Sequence, residues 1–364
     1  MNQRLFIASF GFLVLVMLAN QWLPNATTPV ARSTLAQEEA EKSGRRIVAA
    51  ARELLESLSE KERETASFAF EDGERTNWHF IPRERPGLSL KSMDEKKREK
   101  SVALLDASLS AAGFEKAEQV RELEAILAEI EGPNRRLPRD PLLYHVSLFG
   151  KPSDTEAWGW RFEGHHLSLN YTLRGNELVS ATPSFFGANP AEVKEGPHKG
   201  LRVLAGIEDV ARELVRSLDE KQLEASRKTT GDEDAVPEEV PDTEKARYSG
   251  PFPAGIEASA LTREQRQILR RLIAQYRANL PQDVAREIMA RIRESELRTV
   301  RFAWAGGLER GEPHSYLVHG PTFVINYSNR QNDGNHIHAS FRELRHDFGA
   351  NAAGEGSEGG EGSE

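Results

Sequence analysis

Trp158-Gly-Trp-Arg-Phe-Glu-Gly-His-His-Leu-Ser-Leu-Asn-Tyr171 carries the densest chemistry in the chain. From Glu163 onward the odd positions read Glu163, His165, Leu167, Leu169 and Tyr171, and the even ones Gly164, His166, Ser168, Asn170 and Thr172. Successive side chains of a strand point to opposite faces. The pattern therefore predicts a half-buried strand, apolar on one face beyond His165 and polar on the other from His166. Arg174-Gly175-Asn176 reads as the turn that ends it, with Glu177 to Thr182 as the return strand. Both histidines then stand at the strand's entrance, one on each face.

Working outward, the chain repeats itself. Ala51-Arg-Glu-Leu-Leu-Glu-Ser-Leu-Ser-Glu-Lys-Glu-Arg-Glu64 aligns with Ala211-Arg-Glu-Leu-Val-Arg-Ser-Leu-Asp-Glu-Lys-Gln-Leu-Glu224. Gly87 to Arg98 then corresponds to Gly255 to Arg266, and Gly164 to Thr172 to Gly320 to Ser328. Three blocks in one order imply an internal duplication, with halves of about 45–200 and 201–349.

Each half follows the same plan. A helix near Arg45 to Leu58 gives way to a capping box at Ser59 and Glu62, for which Asp219 and Gln222 stand in the second half. Further helices start at the N-caps Asp94 and Thr262, with Val102, Leu105 and Leu109, or Ile268, Leu272 and Tyr276, at helical spacing. Glu118 to Glu131 and Gln282 to Ser295 read as the next pair of helices. Strands close each half: Tyr144 to Phe149 with Trp160 to Leu173, and Thr299 to Ala305 with Ser315 to Tyr327. Helices followed by antiparallel strands, twice over, is an α+β pattern of two pseudo-symmetric repeats.

The ends are of a different kind. Arg4 and the apolar run Leu5 to Ala19 suit a secretory signal over 1–36, with Thr34-Leu-Ala36 as the cleavage site, or an uncleaved N-terminal anchor. The run falls short of the roughly 20 residues of a membrane span, and no other stretch is apolar enough to cross a bilayer. The expected location is therefore exported, periplasmic or extracellular. The chain has no cysteine, so it lacks disulfides and thiolate chemistry. Its net charge of -9 is concentrated in an acidic insertion at 228–250 and in the Gly/Glu/Ser tail at 350–364, which reads as disordered. No basic stripe is left to neutralise phosphates, so nucleic acid is not an expected partner. A small-molecule or polymer substrate is.

His336-Ile-His338 answers the first histidine pair. Two imidazoles two residues apart share one face of a strand, a common start to a Zn, Cu or Fe site. His165 or His166 can supply a third ligand, and Glu163 a ligand or a general base. His79, in Asn77-Trp-His-Phe80, is a candidate for acid–base work, and Arg161 and Arg342 are candidates to clamp an anion. Two other readings stand beside the metal site. In one the histidines form a metal-free polar or catalytic cluster; in the other they only bond backbone carbonyls and fix loops. Trp158 and Trp160 either line a binding cleft or belong to the core. A Gly-x-Ser-x-Gly elbow, a Walker loop, a His-Glu-x-x-His helix and a dinucleotide fingerprint are all absent from the sequence.

Asn77-Trp-His-Phe-Ile-Pro82, Trp158 to Asn170, Phe186-Gly-Ala-Asn-Pro190 and Gln331-Asn-Asp-Gly-Asn-His-Ile-His338 resemble the motifs of the family called domain of unknown function 3500. The resemblance spans roughly Arg45 to Gly349 as a single family domain. It implies an exported bacterial protein and brings no activity with it. Phe341-Arg342-Glu343 departs from the Trp-Arg-Asp that usually follows the family's His-x-His. Together these observations lead to an exported metal-dependent enzyme, hydrolytic or oxidative, whose histidine-rich site lies at the junction of the repeats. The alternative is a non-enzymatic ligand- or partner-binding module with structural histidines.

Overall fold

The computed structural model describes residues 29–133, 137–227, 255–292 and 297–350. The signal or anchor segment through residue 28, the acidic insertion and the tail from 351 lie outside the described residues.

The chain opens with α1 (Pro29–Ser57) and α2 (Glu60–Ala66). The Ser59 hydroxyl accepts from the Glu62 amide while the Glu62 carboxylate accepts from the Ser59 amide, so the capping box forms as read. Then come the two-residue strands β1 (Ser67–Phe68) and β2 (Leu88–Ser89), α3 (Glu95–Ala107) capped by Asp94, and α4 (Ala111–Glu131). Five strands follow: β3 (His145–Phe149), β4 (Ala157–Gly164), β5 (Leu167–Arg174), β6 (Glu177–Ser180) and β7 (Ser184–Ala188). The rest of the described chain runs α5 (Ala205–Arg216), α6 (Glu220–Arg227), β8 (Ile256–Glu257), α7 (Arg263–Arg277) and α8 (Gln282–Arg291). It closes with β9 (Arg301–Gly306), β10 (His314–His319), β11 (Phe323–Gln331) and β12 (His336–Glu343). Asp219 and Gln222 exchange the capping-box bonds ahead of α6, and Thr262 caps α7.

All the strands join one 12-stranded mixed sheet, so the α+β class holds. Its main path runs β1-β3-β4-β5-β7-β12-β11-β10-β9-β8. Among the described residues only the β1–β3 pair is parallel; the β7–β12 pair at the centre is antiparallel and places Gly187 opposite His338.

Two runs read as single strands are hairpins instead. The Trp160 to Leu173 run folds back at His165-His166, so Gly164 pairs with Leu167. His166 holds φ at 61°, a left-handed conformation that costs a non-glycine side chain energy. Ser315 to Tyr327 likewise folds back between His319 and Phe323. Paired residues share a face, so a loop of even length switches the core-facing positions from even numbers on β4 to odd numbers on β5: Phe162 pairs with Leu169 and Trp160 with Tyr171.

The half-buried expectation also changes. Leu167, Leu169 and Tyr171 join Trp158, Trp160 and Phe162 in the core shared with the helices. Burying a side chain of that size contributes about 1.5–3 kcal/mol. Yet Ser168, Asn170 and Thr172 on the other face are buried too. Trp78, Phe80 and Phe348 pack on Phe185 there as a second apolar cluster, and polar strand residues fill the ground around it.

Candidate metal centre

The site assembles at one end of the sheet. The β4–β5 hairpin tip is held by backbone bonds from three directions. The His166 amide donates to Phe80, the Gly187 amide donates to the His166 carbonyl at 2.7 Å, and the Tyr144 hydroxyl donates to the His165 carbonyl. Gly187 is required by close approach: a Cβ built there stands 2.8 Å from the His166 ring and 3.0 Å from the Ile337 carbonyl.

On the opposite side, β12 begins at His336, and its two-residue spacing puts His336 and His338 on one face with ring centroids 4.6 Å apart. A bulge in β11 between Ser328 and Gln331 shifts the register next to them. Such an extra residue re-aims its neighbours. Here it lets the Asn329 side chain accept from the His336 amide at 2.8 Å.

The two segments meet. His166 Nε2 lies 2.8 Å from His336 Nε2, and His166 and His338 ring centroids are 5.3 Å apart. One nitrogen of each of His166, His336 and His338 lies within 4.8 Å of the others. His338 also stands against the faces and edges of Phe80 and Phe185. Burial pushes His336 down to about 4 and His338 down to about 3. His166 is also held well below the ordinary range, first by burial and then by its histidine neighbours. All three are therefore neutral near pH 7, the form in which imidazole binds a metal.

His165 completes a second grouping. Its ring stacks on His166 at 3.7 Å, and its Nδ1 meets Glu124 Oε1 at 2.5 Å. Glu124, His165 and His166 likewise offer ligand atoms within 4.8 Å of one another. Burial pushes the Glu124 carboxyl up to about 8, against the opposing pull of the Arg139 guanidinium.

Glu124 was not among the residues singled out from the sequence. A signal for it exists: on α4 it shares a stripe with Ala117, Val120 and Leu127, all buried, and a carboxyl on an apolar helix face must find a partner.

The other candidates sit beside this cluster in an ion network. Arg161 Nη2 is 3.0 Å from Glu163 Oε1, and the same guanidinium binds the carboxylate and carbonyl of Glu74. Glu163 Oε2 accepts the His79 amide at 3.1 Å and lies 3.8 Å from Arg85 Nε. Burial raises the Glu163 carboxyl while Arg161 and Arg85 pull it down. The His79 ring meets Asn77 Oδ1, and Arg342 is paired with Asp347 at 2.6 Å. Trp158 and Trp160 are core residues, 0% and 1% exposed, so they line no cleft. The structure thus brings His165, His166, His336 and His338 together and leaves Glu163, Arg161 and His79 in the neighbouring network.

Among the described residues no helix is long and apolar enough to cross a membrane. In comparisons with known proteins, the model of the family described as protein of unknown function (DUF3500) matches residues 40–350. No curated protein and no solved structure matches the chain.

Proposed function

Because the chain belongs to the DUF3500 family, whose description states no activity, we propose a function from the site itself: a metal-dependent enzyme of the exported compartment. His166, His336 and His338 are its ligands. The observation that carries this reading is the convergence of three neutral imidazoles, one nitrogen of each within 4.8 Å of the others, from segments far apart in sequence.

The chemistry of the donor set supports it. Three imidazole ligands with a fourth position open is the pattern of catalytic rather than structural zinc, and copper and iron accept the same donors. With metal–nitrogen bonds of about 2.0–2.1 Å, tetrahedral ligand nitrogens stand about 3.3 Å apart. The 2.8 Å His166–His336 separation therefore has to open by only about 0.5 Å on that geometry. A bound metal supplies a water that can lose its proton near neutral pH. Within this chain, His165 stacks on the His166 ring and is itself hydrogen-bonded to Glu124, so the pair backs the ligand ring from its face. Glu163, committed to Arg161 and the His79 amide, is assigned to holding the hairpin base rather than to the metal.

We further infer that the two halves are duplicated copies meeting at the β7–β12 pair. The succession helix, helix, short strand, helix, helix, then antiparallel strands, which occurs on both sides of Ala188 with one additional short strand, β1, in the first half, supports this. So does the matched position of Gly87 and Gly255, both at positive φ just ahead of a short strand. Export rests on the apolar run at Leu5 to Ala19 and is tested by N-terminal sequencing of the protein recovered from the cell envelope or medium.

The decisive experiment is elemental analysis of protein purified without a His tag, beside the His336→Ala/His338→Ala variant. Near-stoichiometric Zn, Cu or Fe in the first and none in the second is the expected result. No metal in either, even after reconstitution with each ion, sinks the reading.

A further inference from the structure

The two faces of the sheet are unlike. Phe302, Tyr316 and Ile325 share the main core with α5 and α7, and the Tyr276 hydroxyl of α7 meets that of Tyr316 at 2.6 Å. Across the other face one row runs Phe185, Ser340, Asn326, Leu317 and Ala303, each paired with the next, and paired residues share a face. At the Phe185 end the row carries an apolar partner. Phe80 lies on Phe185 with ring centroids 3.8 Å apart, and Trp78 joins them. Towards the other end Ala303, Leu317 and Val324 form a buried apolar cluster of their own, on which Ala305 and Leu344 are the described apolar residues that pack.

Trp78 and Phe80 reach their face from the stretch 67–87, between α2 and β2. The second half has a stretch in the same place, 228–255, between α6 and β8. The frames around the two match bond for bond. Leu90 and Lys91 donate their amides to Tyr144 and Leu142, as Ala258 and Ser259 do to Val300 and Arg298. The Gly187 amide donates to the His166 carbonyl, as the Leu344 amide does to Thr322. Gly87 and Gly255 both stand at positive φ, and Phe80 and Tyr248 each precede their glycine by seven residues.

The length of the stretch and the place of its ends point the same way. Arg227 Nη2 reaches the Gly306 carbonyl at one end of β9, and Ile256 pairs with Phe302 towards the other. About four extended residues bridge that distance, so 228–254 is far longer than the connection needs. With α5 and α7 on the opposite face, the Ala303, Leu317 and Val324 cluster is the surface beside β9 left for it.

We propose that residues 228–254 dock on Ala303, Leu317 and Val324, with Tyr248 in the role of Phe80. Its carbonyl would accept the Thr322 amide as the Phe80 carbonyl accepts that of His166. Val236, Val240, Tyr248 and Phe252, set among the acids of the stretch, supply the apolar side chains and leave the charges to solvent. The acidic stretch is then no insertion but the second half's copy of the buttress that holds the histidine hairpin in the first. The proposal rests on the duplicated frame and is independent of the metal reading.

The chain has no cysteine, so introduced thiols report without background. Two single variants of the full protein serve: Tyr248→Cys, and Ala246→Cys, which keeps the tyrosine ring. Both should react with a maleimide at least about tenfold more slowly than Ile130→Cys, whose parent side chain is 63% exposed, because a docked segment has to open first. Urea should bring the three rates together. Each of the two, paired with Leu344→Cys and treated with a short bis-maleimide in dilute solution, should link within one chain. Linkage between chains assigns the face to a second copy and overturns the proposal. Rates equal to that of Ile130→Cys overturn it too and leave the face to a separate partner. Slow thiols that do not link to position 344 place the stretch elsewhere and overturn it as well.

Discussion

His166 Nε2 and His336 Nε2 face each other at 2.8 Å, although 170 residues separate them in the chain. Nothing local holds them there. His166 is fixed from behind by Phe80, Gly187 and the hairpin turn, and His336 by Asn329 and the β11 bulge. Two nitrogens at this distance, both neutral, accept one proton between them or one metal ion. The surrounding backbone pre-sets the geometry before either arrives, as a site on rigid elements requires.

Gly187 sets the approach of the two strands. Gly187→Ala forces its Cβ against the His166 ring and the Ile337 carbonyl. The expected cost is about 1–3 kcal/mol of stability, together with at least a tenfold loss of metal affinity as His166 is displaced. Urea denaturation and competition with a chelator of known affinity check the two effects separately. Unchanged metal affinity would count against His166 as a ligand.

The Arg161–Glu163 pair predicts a loss of another kind. Removing one partner of a buried ion pair leaves the other charge uncompensated, at a cost of about 3–5 kcal/mol. Arg161→Met should therefore destabilise strongly, because Glu163 keeps only Arg85 at 3.8 Å as a cationic neighbour. Arg161→Met/Glu163→Leu should recover only part of the loss, because Glu74 still loses its guanidinium partner. Equilibrium unfolding of the two variants and the parent measures it, and metal content should stay stoichiometric in the double variant.

Much of this was legible in the sequence. The caps at Ser59, Asp94, Asp219 and Thr262 were readable because capping is local chemistry. The shared face of His336 and His338 followed from strand periodicity. The hairpin turn at His165-His166 left one trace that a single-strand reading passes over: the apolar positions switch from even, Trp158, Trp160 and Phe162, to odd, Leu167, Leu169 and Tyr171, across it. The turn also lacks the Asn-Gly or Asp-Gly pair that usually marks one, relying instead on a histidine at positive φ held by tertiary bonds. Burial of Ser168, Asn170 and Thr172 was equally invisible, since what covers them arrives from Trp78, Phe80 and Phe348. Glu124 lay in plain view on an apolar helix face, but its partner His165 is set by the fold.

Acid should weaken the metal-free fold through His336 and His338. Their folded values, about 4 and about 3, lie below the ordinary 6.5, so between pH 6.5 and about 4 the unfolded chain binds protons that the native state refuses. Stability then falls as pH drops through that window, by about 1.4 kcal/mol per pH unit for each histidine at most. Below the folded values both states are protonated and the slope from these groups ends. Unfolding of chelator-treated protein at pH 7, 6, 5 and 4.5 gives the slope, and His336→Gln/His338→Gln should flatten it. A variant slope equal to the parent's assigns the acid sensitivity to other groups.

Glu124 works in the opposite sense. Burial lifts its carboxyl to about 8 from the ordinary 4.5, so the native state holds a proton that the unfolded state releases, and stability from this group declines as pH rises from about 4.5 to 8. At neutral pH the protonated carboxyl donates to His165 Nδ1. Glu124→Gln keeps a donor of nearly the same shape and removes the titration. The variant should match the parent near pH 5 and become the more stable of the two above pH 8, where the parent is forced to carry a buried charge. The comparison is made by thermal unfolding at both pH values. A parent that is at least as stable as the variant at pH 8.5 would show that the Glu124 charge is already compensated, with Arg139 the nearest source, and that the carboxylate form belongs to the resting site.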